Sequence, residues 1–201
     1  MKLFHSARSA YVRKVMVCAH EAGLVDRIEL LPSNAHSVDR DQTIIPHNPL
    51  GQVPTMLLDD GSMLADSGVI CAYLDSIGPG GLFPDKGALR WTALVEQALG
   101  DGLIAAAMIA RYETAVRPQD RQWDAWRDAH LDKVRTTLED LDARAPGFGS
   151  RFDIGSITLA CALSYLDFRF AHLAWRDRYP VLSGWHAGVS ARPSMAATEP
   201  V

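Results

Sequence analysis

Cysteine is scarce in this 201-residue chain: Cys18, Cys71 and Cys161 stand far apart, odd in number and without a CxxC pair. A disulfide framework, a cysteine-rich zinc site and a dithiol redox motif therefore all lack their residues. An excess of charge is missing too. Twenty Lys and Arg stand against 24 Asp and Glu, a net charge of −4, and the stretches on either side of residue 78 are both mildly acidic. Binding to nucleic acid or to an anionic membrane loses its electrostatic basis on that balance. Long apolar runs are also absent. The longest, around Leu103 to Ala110, falls far short of the ~20 residues of a membrane helix. Lys2, Arg8, Arg13 and Lys14 interrupt any signal-peptide core near the start. The expectation is a reduced, cytoplasmic compartment, with no membrane and no nucleic acid as partner. The seven histidines show no HExxH or comparable metal spacing, so no metal is expected. No GxSxG elbow marks a hydrolase. Gly147-Phe148-Gly149-Ser150 lacks the strand that a nucleotide loop would follow. There is no internal repeat and no low-complexity tract.

What remains is an ordinary globular composition, 48% apolar and 22% charged, enough for one large domain or two small ones. Leu3-Phe4-His5 reads as a short buried strand, ended by the polar stretch from Ser6 to Ser9. Val12, Val15, Met16 and Ala19 follow at helical spacing, and Gly23 supplies a stop. Ile28 to Leu31 predicts a second strand closed by Pro32, and the polar segment from Ser33 to Pro49 reads as a loop. Val53 to Leu58 is a third strand, Asp59 to Ser62 a hairpin turn, and Met63-Leu64-Ala65 the returning strand. Asp66 and Ser67 sit where a helix N-cap belongs, ahead of Val69, Ile70, Ala72, Tyr73 and Leu74. The order is β-α-β and then β-β-α, with parallel pairing across the first crossover and antiparallel pairing in the hairpin.

Residues 78–86 form a Gly- and Pro-rich linker. Beyond it every signal is helical. Ala88 to Glu113 is one long helix, weakened by Gly100 and Gly102. Trp123, Trp126, His130, Val134, Leu138 and Leu141 trace one face of another. From Ile157 to Phe170 apolar residues lie on all sides, with Asp167 and Arg169 coming late, the pattern of a buried central helix. Val181 to Ala191 is a last helix before Pro193 and a tail. The fold class is thus a small α/β domain over residues 1–78, a linker over 79–86, and an all-helical domain over 87–201.

Four motifs then carry a resemblance that runs nearly end to end. Ser9-Ala10-Tyr11-Val12-Arg13-Lys14-Val15 is similar to the opening strand-to-helix turn of the bacterial-type cytosolic glutathione transferases. Asn48-Pro49-Leu50-Gly51-Gln52-Val53-Pro54 resembles the segment with the family's cis-proline. Asp66-Ser67-Gly68-Val69-Ile70 resembles its (E/D)SxxI motif, and Ala191-Arg192-Pro193-Ser194 the ARPS near the end of many members. The resemblance implies a thioredoxin-like N-terminal domain that holds glutathione, followed by an all-helical C-terminal domain that shapes the second-substrate site. It implies a detoxifying glutathione S-transferase, homodimeric, with glutathione and a small hydrophobic electrophile as partners. A glutathione-dependent isomerase or dehalogenase stays open, and so does a non-catalytic binding or regulatory protein on the same fold.

The residue types suit that chemistry. Only the thiolate of glutathione is a good nucleophile, and an ordinary thiol ionises at a pKa of ~8.5. A hydroxyl that donates to S⁻, at a helix start whose amides attract negative charge, favours ionisation. Spacing alone makes Ser9 a helix cap. The resemblance adds the role of thiolate donor, since one hydroxyl can accept and donate at once, with Ser6 as the alternative. Ala10 replaces the proline often found at that position in the family, and Arg8 places a cation beside the serine. Val53 and Pro54 are implied to offer the Val53 N–H and C=O to the cysteinyl backbone of glutathione, as an added strand would. The Asp66 carboxylate suits the γ-glutamyl ammonium, while Ser67 and nearby amides suit its carboxylate; Gln52 adds a polar contact. For the second substrate the resemblance points to the long helix, where Leu103, Ala107, Met108, Arg111 and Tyr112 also read as core or interface. Asp153-Ile154-Gly155-Ser156 reads as a capping motif with its usual residue types exchanged, predicting a weaker reciprocal bond from Ser156.

Overall fold

The computed structural model describes residues 1–33 and 36–200. Asn34 and Ala35, in the segment read as a loop, lie outside the described residues. The chain forms two compact units, Met1–Trp91 with Arg192–Val201, and Thr92–Ala191.

In the first unit, β1 (Lys2–His5) leads into α1 (Ala10–Glu21), then come β2 (Glu29–Pro32), β3 (Thr55–Leu57), β4 (Met63–Leu64) and α2 (Ser67–Ile77). The sheet order is β2-β1-β3-β4. Leu3 pairs with Leu30 across the parallel β1–β2 contact and with Met56 across the antiparallel β1–β3 contact, and Met56 pairs with Leu64. Fully buried Leu3, Met56, Ile70 and Leu74 form its core. β3 is shorter than the Val53–Leu58 strand expected, because Pro54 has no N–H to extend the ladder. Pro32 is the last residue of β2 and closes it, as a proline can on an edge strand. The linker is tied down: Leu82 N and Phe83 N donate to the Asp75 carboxylate at 2.9 and 3.2 Å.

The second unit carries most of α3 (Gly87–Ala115), then α4 (Asp124–Arg144), α5 (Ile154–Arg169), the short α6 (Trp175–Arg178) and α7 (Pro180–Ser190). By length and composition α3 would pass for a membrane span, but half of its apolar stretch is buried within the protein, as in any core helix. Every residue of α5 from Ile154 to Leu166 is buried. Two glycines permit its close approach to α3. A Cβ on Gly155 would lie 2.8 Å from the Ala93 carbonyl oxygen and from the Glu96 Cβ, and one on Gly100 would lie 2.8 Å from Thr158 Cγ2. The start of α5 corrects the capping expectation. Ser156 N donates to Asp153 Oδ1 at 3.1 Å and Asp153 N donates to Ser156 Oγ at 2.8 Å, so the reciprocal bond is fully formed. Arg151 then bridges Asp153 at 2.7 Å and the buried Glu96 at 2.6 Å, with Arg144 reaching Glu96 at 3.4 Å. On α4 the apolar stripe is buried only from His130 onward; Trp123 and Trp126 are exposed, stacked on each other with centroids 6.2 Å apart.

The last residues, expected within the helical domain, turn back to the first unit. There α8 (Pro193–Ala196) packs on α1. Arg13, buried on α1, donates to the Met195 carbonyl at 3.1 Å. Glu21 accepts from Arg192 at 2.9 Å and from Ser194 Oγ at 2.5 Å. Burial alone would raise the Glu21 pKa, but these two partners outweigh it and hold it below the usual 4.5. A depressed carboxylate pKa adds stability above the unfolded value that is lost as the pH falls through the folded one. The amides of Met195 to Thr198 are therefore expected to exchange faster once the pH drops below 4.5, and to lose that pH dependence in Glu21→Gln. Hydrogen exchange checks both; equal pH dependence in the two proteins would remove Glu21 as the clip.

Candidate active site

β1 ends at His5, and a tight turn in which Ser9 N donates to the Ser6 carbonyl at 3.0 Å delivers the chain to α1. Ser9 is the N-cap, with extended backbone (φ −94°, ψ 118°), and its Oγ accepts from Val12 N at 3.3 Å. The hydroxyl proton stays free to donate elsewhere. Ser6 and Ser9 are both half-buried, and Arg8 is exposed.

The Val53-Pro54 peptide is cis, and the segment before it is held by a buried brace. Asn48 Nδ2 donates to Thr55 Oγ1 at 2.8 Å, Thr55 Oγ1 donates to the Gln52 carbonyl at 2.7 Å, and Asn48 Oδ1 accepts from Leu50 N at 3.0 Å. The Gln52 side chain is exposed. The Val53 N–H and C=O make no backbone hydrogen bond with another described residue.

The Ala65-Asp66 peptide is also cis, and Asp66 caps α2. Its Oδ1 accepts from Gly68 N at 2.9 Å and Val69 N at 3.4 Å. Two amides of this helix start are thus occupied by the protein itself. Ser67 is buried, and its hydroxyl makes no hydrogen bond among the described residues. Asp66 remains exposed, with its second oxygen turned to no described donor.

Sheet register brings these three places together. The β1–β3 ladder ends where Phe4 pairs with Thr55, so the turn after β1 and the segment before β3 leave the sheet at the same end. The β3–β4 ladder ends where Met56 pairs with Leu64, so the chain that follows β4 into Asp66 leaves the sheet at that end too. The Ser6–Ser9 turn, Gln52-Val53-Pro54 and Asp66-Ser67 share one end of the sheet. Asn48 and Thr55, which brace this end, escaped the sequence reading. Their polar side chains in a polar segment look solvated, and only the fold buries them.

Met108, Arg111 and Tyr112 lie on α3 within the second unit, all half-buried. The Arg111 guanidinium is 6.0 Å from the Tyr112 ring centroid. Tyr165 on α5 is buried, and burial raises its pKa above 10.0 while Arg111 and Arg169 pull it down. Arg169 stacks 4.0 Å above the Phe168 ring. Sequence flagged Arg169 only as a late charge on an apolar helix, and gave no sign of Tyr165.

A second arrangement in this unit looks catalytic and is not. Ser164 Oγ is 3.0 Å from His186 Nε2, and Arg176 is 2.9 Å from Nδ1. Arginine can only donate, so Nδ1 accepts and Nε2 carries the proton. That tautomer cannot take the serine proton, and no nucleophile is generated. Among the described residues no group of three or more His, Cys, Asp or Glu is placed to hold a metal.

With this geometry in place, comparisons with known proteins are specific. Residues 8–77 match the family model of the glutathione S-transferase N-terminal domain, and residues 124–188 that of the C-terminal domain. The uncharacterized GST-like protein YibF of Escherichia coli K12 is 30% identical over 207 aligned residues, covering 100% of this chain and 98% of YibF. A glutathione transferase family member from Pseudomonas fluorescens Pf-5, crystallised with bound glutathione, is 44% identical with a TM-score of 0.97, covering 100% of this chain and 98% of its own. A second structure from the same organism holds S-(propanoic acid)-glutathione, at 43% identity, a TM-score of 0.92 and 100% coverage of both chains.

Proposed function

The chain belongs to the glutathione S-transferase family, and from that premise we propose that it binds glutathione at the sheet end carrying Ser9, ionises the thiol there and transfers it to an electrophilic carbon. The observation that carries this reading is that the segments holding Ser9, Val53-Pro54 and Asp66-Ser67 all flank the same end of the sheet. A helical scaffold alone has no use for three polar backbone features at one edge.

Each group has a physical task. Ser9 accepts from Val12 N with one lone pair and turns its proton toward the sulfur, so the hydrogen bond strengthens as S⁻ forms. The dipole at the start of α1 adds a positive potential at the same place. Val53, whose N–H and C=O make no backbone hydrogen bond among the described residues, receives the cysteinyl backbone like an added strand. Asp66 keeps a carboxylate oxygen for the γ-glutamyl ammonium, and Ser67 supplies a hydroxyl to its carboxylate; Gln52 reaches from the exposed side. Once ionised, the thiolate pair forms a C–S bond. The electrons displaced at the carbon leave with a leaving group or take a proton from solvent. The protein contributes ionisation and orientation, with no covalent intermediate of its own.

The Pseudomonas neighbours support the reading, since one holds glutathione and the other a glutathione whose sulfur carries a carboxylate-bearing group. The proposal extends to a homodimer, for which exposed Trp91 and Val95, one turn apart on α3, offer apolar surface. The deciding experiment is calorimetry of glutathione binding between about pH 6 and pH 8, where an ordinary thiol stays protonated. Wild-type protein is expected to bind with release of a proton, and Ser67→Ala to bind about tenfold more weakly, as for loss of a hydrogen bond to a charged group. Absence of binding would overturn the enzymatic reading and leave a binding protein on the same fold.

A further inference from the structure

We propose that Asn48 and Thr55 are positioning residues for glutathione: a hydrogen-bond relay through their side chains turns the Val53 N–H toward the ligand and strengthens it as a donor to the cysteinyl carbonyl. This rests on the glutathione-binding reading and deepens it, adding two buried residues that touch no ligand themselves.

The relay has one direction. Leu50 N lies 3.0 Å from Asn48 Oδ1, and since a backbone N–H only donates, the oxygen of that side-chain amide is fixed on the Leu50 side. The Asn48 Nδ2 group is left facing Thr55 Oγ1 and donates to it at 2.8 Å. A hydroxyl that already accepts there has its own proton to place, and the Gln52 carbonyl takes it at 2.7 Å. Both ends are anchored. Asn48 N donates to the Ile44 carbonyl at 2.8 Å, and Gly51 N to the Asn48 carbonyl at 2.8 Å. Thr55 is fully buried and pairs with Phe4 in the sheet.

The Gln52 carbonyl belongs to the same peptide unit as the Val53 N–H. That peptide is trans, and in a planar trans peptide the two groups point to opposite sides. Holding the oxygen against buried Thr55 therefore turns the N–H the other way, where no backbone carbonyl among the described residues takes it. Two gains follow. The peptide plane is fixed before the ligand arrives, so its ordering is not a cost of binding. A carbonyl that accepts a hydrogen bond also draws charge through the amide, which makes the N–H at the other end a better donor. Apolar side chains would fill the same space without needing partners, since polar groups gain nothing from burial itself.

The test uses the full chain and two ligands that differ at the cysteinyl carbonyl, S-methyl-γ-glutamylcysteinamide and S-methyl-γ-glutamylcysteamine. The methyl group keeps thiol ionisation out of the comparison. Calorimetry of the wild type is expected to show about fivefold tighter binding of the ligand with the carbonyl, the scale of one neutral hydrogen bond. In Thr55→Val, which keeps the shape and removes the hydroxyl, that preference should fall below about twofold, and Thr55→Ser should restore it. A purely structural Thr55 would weaken both ligands alike, so a preference that survives in Thr55→Val overturns the relay. The Val53 amide supplies a reading that needs no variant. Its hydrogen exchange should slow under saturating carbonyl-bearing ligand and not under the other, and equal exchange under both overturns the proposal even if Thr55→Val fails to fold. Equal affinity of the two ligands for the wild type overturns it as well and leaves the transferase reading standing. Failure of glutathione itself to bind would overturn the reading beneath it.

Discussion

Replacing Ser9 by alanine is expected to slow glutathione conjugation about a hundredfold, the scale of losing one donor aimed at a developing oxyanion-type charge. The wild-type rate should be nearly level around neutral pH. The alanine variant should instead climb with pH toward the ~8.5 of a free thiol. Because Ser9 also caps α1 through Val12 N, alanine costs stability too, about 1 kcal/mol. Ser9→Asp separates the roles. Aspartate caps as well as serine and suits the helix dipole, yet it has no proton to donate and repels the thiolate. Its thermal midpoint should match the wild type while its conjugation rate stays at or below that of Ser9→Ala. Ser6→Ala is the counter-test. If that variant, and not Ser9→Ala, shows the shifted pH profile, the donor is Ser6.

The second large effect belongs to stability. Glu96 is only 2% exposed, and its two oxygens hold Arg151 and Arg144 while Arg151 also reaches Asp153, the cap of the buried helix α5. Removing one partner of a buried ion pair typically costs about 3–5 kcal/mol. The side chains of Arg151 and Arg144 are 23% and 34% exposed, so water recovers part of that. For Glu96→Ala about 2–3 kcal/mol is expected, or roughly 5–10 °C in the thermal midpoint of a chain this size. Arg144→Ala removes the longer, wetter contact and should cost under about 1 kcal/mol. Equal midpoints for the two variants would reduce the cluster to an ordinary surface pairing.

Glu96 also shows what a one-dimensional pattern conveys and what it hides. Ser9 and Asp66 were readable as caps because a cap acts within three residues of itself, and the hairpin at Asp59–Ser62 because turn chemistry is equally local. The strand ends were less legible: the truncation of β3 at Thr55 depends on how Pro54 meets its neighbouring strand. Glu96 gives no local sign of burial, since a lone acid on a helix looks like a solvated face until Arg151, 55 residues away, is folded against it. Trp123 and Trp126 mislead in the opposite sense. Their spacing continues the buried stripe of α4, but no part of the unit covers them. At the site, the motifs located the residues at the sheet end. The Asn48–Thr55 brace spans only seven residues, but nothing in the sequence shows that the fold buries it.

The return of residues 192–198 to α1 has a consequence for biosynthesis. A chain emerging from the ribosome generally acquires structure from its first domain onward. Here the helix that begins at Ser9 waits for Arg192, Ser194 and Met195 before Glu21 and Arg13 find their partners. Everything the second unit needs has been translated by then. The half of the protein made first is thus the half completed last. An alteration near the C-terminus, such as a fused tag that displaces the Glu21 clip, would register in the first unit and not in the helices next to it in sequence.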